Sequence, residues 1–280
     1  MISELEKKIT LRYLKPKKKD GFLNIISIFS FIGITLGVSV LIIVMSVMNG
    51  FRTELINKII GFNAHVTIQP YSTPIDKKKL KNEVVQELSK DLIYTNSGEG
   101  VLFNKDNTKG LVLRGYNTYD FSKLSVIKNE NFEGNPAELI NNSISIGKDL
   151  AIEFNLSIGD QILIMSSSGI ETIIGNIPKQ EPFLITSFFD SGLSDFDKNV
   201  AFLNIKSLES LFDLDKSERH LEIYLKDPIK IEKVKLQLEN IFTDEFIYTW
   251  ADMNSSLFSA LKVERNVMFI ILSLIIIVAA

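Results

Sequence analysis

The sequence predicts an α-helical membrane protein that carries a large α+β domain outside the membrane. Two apolar runs and the patterned stretch between them carry that prediction. Ile25 to Met48 holds 24 residues and no charge, and crossing about 30 Å of hydrocarbon takes roughly 20 helical residues. Val267 to Ala280 is a second apolar run. Residues 49–266 mix period-2 and period-3.6 apolar patterns, the signatures of strands and amphipathic helices in one folded domain.

Composition narrows the class. The 280 residues are 45% hydrophobic, with net charge −3, no cysteine, one tryptophan and two histidines. Without cysteine there are no disulfides and no thiolate zinc sites. Acidic residues form no long block, so no disordered acidic tail is expected. Charge is uneven. Residues 1–24 carry Lys7, Lys8, Arg12, Lys15, Lys17, Lys18 and Lys19 against Glu4, Glu6 and Asp20, a net of +4 that leaves −7 for the remainder. A basic flank ahead of the first spanning helix predicts a cytoplasmic amino terminus, and a long following domain translocates whatever its charge.

Residues 1–24 form a cytoplasmic flank. Ile2, Leu5, Ile9 and Tyr13 share one helical face, as in a helix lying on the membrane surface. Pro16 ends it, and Lys17 to Lys19 face the lipid headgroups. The first spanning helix is assigned to residues 25–48. Its apolar core exceeds a signal peptide's h-region and no A-x-A site follows, so it reads as an uncleaved anchor. Within it Gly33 and Gly37 form a GxxxG pattern. That is either a close-packing face for another helix or the glycine content common in membrane helices.

The extracytoplasmic domain is assigned to residues 49–266. Ala64 to Ile68 reads as a strand and Asp76 to Lys90 as a helix. Val101 to Phe103 and Gly110 to Gly115 flank Asn104-Lys-Asp-Asn107 as a hairpin. Short strands are expected at Ser143–Gly147, Asp160–Met165, Glu181–Phe189, Asn199–Asn204, Arg219–Leu225 and Phe246–Trp250. Pro228 to Phe242 reads as a helix with Pro228 in its first turn. The βαβ pieces at the two ends are expected to pair into one porter-like α+β lobe, with the strand-rich middle inserted as a β-rich lobe. Asp252 to Arg265 reads as a helix running unbroken into Val267, able to carry motion from domain to membrane. Residues 267–280 number 14, too few to span, and are expected to be the start of a second spanning helix that is cut short.

Enzymatic signatures are missing from the sequence. No GxxxxGK[ST] occurs, and Ser145-Ile-Gly-Lys-Asp149 lacks the upstream glycine and the hydroxyl residue, so no P-loop nucleotide site is expected. His65 and His220 stand apart from any partner spacing and read as strand histidines with satisfied hydrogen bonds. Ser166-Ser-Ser168 has no base nearby. The residues point to no catalytic centre, cofactor, metal or nucleic-acid partner. Ser166 to Pro182 reads SSSGIETIIGNIPKQEP, too long for a minimal hairpin loop. It is either a loop packed back on the domain or an arm whose exposed isoleucines mark a partner surface.

Several segments together resemble the permease subunits of the bacterial lipoprotein-releasing ABC transporter, the LolC/LolE family. They include Arg12-Tyr-Leu-Lys15, Gly33-Ile-Thr-Leu-Gly37-Val38, Ser46-Val-Met-Asn-Gly50-Phe51, Ile146-Gly-Lys-Asp-Leu-Ala151 with Gly159-Asp160, and Trp250 with Asn254, Leu257-Phe258 and Ala260-Leu261. The resemblance implies a multi-pass permease of the bacterial inner membrane with four spanning helices and a periplasmic domain between the first two. It implies a second permease copy or a paralogue, and two copies of a separate ATPase subunit. The complex would draw a triacylated lipoprotein out of the bilayer and pass it to a periplasmic carrier. The segment Ile173, Ile174, Gly175, Asn176, Ile177, Pro178, Lys179 and Gln180 corresponds to the family's carrier-binding hook, with Lys179 and Glu181 departing from its pattern. Extraction costs about 0.8 kcal/mol per buried CH₂, which calls for a sheltered apolar path. Ile42, Ile43, Met45, Met48, Phe258, Leu261 and Met268 are placed to line one, methionine suiting irregular cargo; lipid-facing filler is the other reading of each. The same architecture is shared by MacB-type efflux and FtsX-type cell-division permeases, and a two-helix membrane sensor with an extracytoplasmic ligand domain would look similar.

Overall fold

The computed structural model describes residues 4–14, 21–104, 107–172 and 175–279. Pro16, the Lys17–Lys19 run and the turn residues Lys105 and Asp106 lie outside them. The chain divides into two compact units, Met1–Glu54 with Ser256–Ala280, and Leu55–Ser255.

Two helices open the chain, α1 (Glu4–Leu14) and α2 (Gly21–Phe62). Leu5 and Ile9 of α1 are exposed, as are the charged residues around them. The α2 helix does not stop at Met48. No proline follows, and Gly50 weakens a helix by only about 1 kcal/mol. Ile59, Ile60 and Phe62 at its far end are buried. Among the described residues a single helix is long and apolar enough to cross a membrane, over Ile28–Phe62.

The elements of the second unit follow in order: β1 (Val66–Pro70), α3 (Glu83–Leu88), β2 (Ser89–Asn104), β3 (Asn107–Tyr116), α4 (Thr118–Phe121), β4 (Glu133–Gly134), β5 (Ser143–Gly147), α5 (Lys148–Phe154), β6 (Gln161–Thr172), β7 (Gly175–Phe189), α6 (Ser194–Asn199), β8 (Val200–Asn204), α7 (Ile205–Phe212), β9 (His220–Leu225), α8 (Ile231–Glu239), β10 (Glu245–Thr249) and α9 (Trp250–Met253). The last helix, α10, spans Ser255–Ala279.

Strands β10-β1-β9-β2 lie side by side, each antiparallel to its neighbour. Strands β1 and β2 are therefore parallel with β9 between them, and β9 and β10 are parallel with β1 between them. With α3 and α8 as the crossovers, this is a pair of interlocked split βαβ units, built from the two ends of the domain. The middle of the chain forms the second lobe. There β2, β3, β8, β5, β7 and β6 pair in succession, and β6 returns to β2 through Gly100↔Ser166 to Phe103↔Leu163. The ring closes into a barrel, so within the closed part each strand has a neighbour on both sides. Its interior is filled by Leu102, Leu113, Ile144, Ile146, Ile164, Phe183, Ile185 and Leu203, capped by Leu208 and Phe212 of α7.

Several local expectations are corrected. The Asp76–Lys90 helix is a short 3-10 turn at Lys79–Lys81 followed by α3. The Asn82 side chain accepts from the Val84 N–H and restarts the helix there. Pro228 lies ahead of α8 rather than in its first turn, and its carbonyl accepts the Trp250 indole N–H at 3.0 Å. The helix read from Asp252 is interrupted. Thr249 and Asp252 form a reciprocal capping box that starts the one-turn α9, and Asn254 separates it from α10. The Ser166–Pro182 stretch is not a loop: β6 and β7 extend through most of it as a paired ladder.

Candidate functional site

Beyond Ser166, β6 leaves β2 and pairs only with β7. The two strands run on as a ribbon through Gly169↔Pro178, Ile170↔Ile177, Glu171↔Asn176 and Thr172↔Gly175. Pro178 brings no N–H to this ladder, a residue suited to strands without a neighbour on that side. Of the hook residues, Gly175, Asn176, Ile177, Pro178, Lys179 and Gln180 are on β7, while Ile173 and Ile174 lie outside the described residues. Ile177 is 52% exposed. At the base of the ribbon Lys179 Nζ donates to the Ser210 carbonyl and sits 3.1 Å from Glu181, which also accepts from Ser210 Oγ at 3.4 Å. The two residues that depart from the hook pattern are thus engaged with each other and with the end of α7. Gln180 points its amide at Met165 Sδ, 3.6 Å away.

In the first unit, α2 and α10 enclose a groove of about 190 Å³ lined by Met45, Met48, Asn49, Arg52, Leu261, Glu264, Arg265 and Met268. Four of the seven residues assigned to the lipid path, Met45, Met48, Leu261 and Met268, meet there. Ile42, Ile43 and Phe258 are not among its lining. Ile42 and Ile43 are exposed on α2. Among the described residues, apart from the backbone of α2 itself, no atom lies within 4 Å of where a Cβ at Gly33 or Gly37 would stand.

One cluster escaped the sequence reading. Arg114 on β3 and Glu222 on β9 pair at 2.7 Å, their side chains only 12% and 5% exposed. Tyr116 and Tyr224 donate to the same carboxylate at 2.9 and 3.0 Å. Burial works against the charge of Arg114, but Glu222 and the tyrosines around it more than offset that and hold the guanidinium above its ordinary value. Burial raises both phenols, Tyr224 well above normal. The guanidinium also sits 5.7 Å from the Phe62 ring and 5.9 Å from the Phe202 ring. Arg114 and Glu222 form part of the wall of a cleft of about 460 Å³ bordered by Thr67, Val112, His220, Tyr248 and Met253. The signal was present: Glu222 interrupts the apolar run His220–Leu225 and Arg114 interrupts Leu111–Tyr116.

Of the two histidines, His220 opens β9, whereas His65 lies one residue ahead of β1 rather than in a strand. His65 Nδ1 accepts the Leu225 N–H at 2.7 Å, and burial lowers its pKa to about 4. Burial also lowers His220.

A long apolar helix leading into a split-βαβ lobe with an inserted barrel defines a class of membrane-anchored proteins, and the family of the MacB-like periplasmic core domain matches residues 27–241. The lipoprotein-releasing system transmembrane protein LolC of Neisseria meningitidis serogroup B is 30% identical, over 99% of this chain and 68% of that protein. LolC of Xylella fastidiosa (strain Temecula1) is 28% identical, over 100% of this chain and 68% of the relative. The corresponding LolE of Haemophilus influenzae is 26% identical, over 97% and 67%. The chain belongs to the LolC/LolE family of permeases.

Proposed function

We propose that this protein is a permease subunit of an ABC transporter that extracts lipoproteins from the inner membrane and passes them to a periplasmic carrier. The observation that supports the reading is the methionine-lined groove between α2 and α10, which in this reading is the route of the acyl chains. In this reading the amino terminus is cytoplasmic, residues 49–266 are periplasmic and residues 267–280 begin a second of four spanning helices. A separate ATPase subunit supplies the energy, and the second permease is a copy or a paralogue. The ribbon from Gly175 to Gln180 is the surface offered to the carrier, with Ile177 at its exposed face. Gly33 and Gly37, with open space beside them among the described residues, are a packing face for another permease helix.

Depletion of the protein in its host tests the function: outer-membrane lipoproteins should accumulate in the inner membrane, and undisturbed sorting would reject the reading. The match to a MacB-like domain favours an efflux permease as the second reading. Heightened antibiotic susceptibility with normal lipoprotein sorting would select it. A photo-crosslinker at Ile177 should capture the carrier; release that persists without an adduct would remove the hook role alone.

A further inference from the structure

The groove has a charged rim that an acyl-chain path does not need. Arg52 and Glu264 are half-buried, Arg265 is exposed, and all three line it together with the methionines. Among the described residues, none of the three makes an ion pair. Arg52 directly follows the uncharged stretch of α2, residues 21–51, and Arg265 directly precedes that of α10, residues 266–279. Both guanidiniums therefore stand at the level where an apolar segment gives way to headgroups. A triacylated cysteine offers ester and amide carbonyls and no charge. A glycerophospholipid offers the same chains plus a phosphodiester anion, the group that guanidinium forks match best. Glu264 leaves the rim with a single net positive charge, the complement of one phosphodiester.

We propose that this groove binds a membrane phospholipid, its phosphate held between Arg52 and Arg265 and an acyl chain laid along the methionines, so that cargo enters by displacing it. The proposal rests on the reading of the groove as part of the lipid path. A guanidinium that merely snorkels to interfacial water would show no such selectivity.

The test uses the intact transporter, stripped of lipid in detergent and incubated with mixed micelles holding equal amounts of dioleoylphosphatidylglycerol and dioleoylglycerol. Native mass spectrometry then counts the bound species. The unaltered protein should retain the phospholipid in about tenfold preference, the size expected of charge-assisted hydrogen bonds. Arg52→Gln with Arg265→Gln should bring the ratio close to even, whereas Arg265→Lys should keep part of the preference. No preference in the unaltered protein, or full preference in the double variant, overturns the proposal. Photo-crosslinkers at Met48 and Met268 separate the two ideas. Lipoprotein adducts there with no phospholipid preference reject the headgroup site and leave the path standing. A phospholipid preference without adducts rejects the path and leaves the headgroup site.

Discussion

A guanidinium and a carboxylate withdrawn from water together are stable only while each keeps its partner. Glu222 accepts from Arg114, Tyr116 and Tyr224, so removing the cation strands a buried negative charge. Arg114→Met should cost about 3–5 kcal/mol, whereas Arg114→Met combined with Glu222→Leu should cost less than the single change. Denaturation followed by the fluorescence of Trp250, the one tryptophan, measures both. A double variant weaker than the single one would refute the pairing argument. His65 makes the second residue-scale prediction. Its folded pKa of about 4 lies below its ordinary value of 6.5, so the unfolded chain takes up the proton first as pH falls. The contribution is complete above pH 6.5 and is lost on the way down to pH 4, on the order of 3 kcal/mol. His220, also lowered by burial, acts with the same sign. His65→Gln should flatten this dependence; an unchanged slope between pH 7 and pH 4 would show that other groups govern it.

Elements differ in how far local sequence dictates them. The β2/β3 hairpin was legible because its strands are adjacent and its turn is rich in asparagine, lysine and aspartate. The split βαβ lobe was legible from the two patterned ends. Barrel closure was not, since the β2–β6 ladder joins segments some sixty residues apart and no local period encodes that pairing. The break at Asn254 was readable in principle: Thr249-Trp-Ala-Asp252 is a capping-box spacing, masked by apolar residues that continue the helical period beyond it. The ribbon was half-legible, its strands hidden by serines, glycines and a proline that usually mark loops. Its base rests on Lys179 held by Ser210 and Glu181. Such a partly exposed contact is worth up to about 1 kcal/mol. Lys179→Met should therefore raise amide exchange at residues 176, 177, 179 and 180 by about fivefold while leaving the barrel amides untouched. Equal exchange in both proteins would mean that the ladder alone sets the ribbon's order.

At the scale of the larger unit, Leu55–Ser255, one strand belongs to both lobes. The first part of β2, Ser89 to Thr95, pairs with β9 in the split βαβ sheet, and Asn96 to Asn104 pairs with β3 in the barrel. The junction is tied by side chains as well: Asn96 Nδ2 donates to Glu209 at 3.1 Å, and Arg219 clamps the same carboxylate at 2.6 and 2.9 Å. Glycine is required close by, since a Cβ at Gly98 would meet the Phe212 ring at 2.8 Å. A shared strand cannot leave the barrel without loosening its ladder to β9, so the lobes should unfold as one cooperative unit rather than as two foldons. Leu102→Ala tests this from the barrel side. Leu102 is fully buried in the barrel interior, and the truncation should cost about 2–5 kcal/mol. If the lobes are coupled, amide exchange at globally protected positions of β1 and β9 should accelerate by the same free energy as in the barrel strands. Acceleration confined to β3, β5, β6, β7 and β8, with β1 and β9 unchanged, would show that the barrel opens alone and that β2 acts as a hinge between independent lobes.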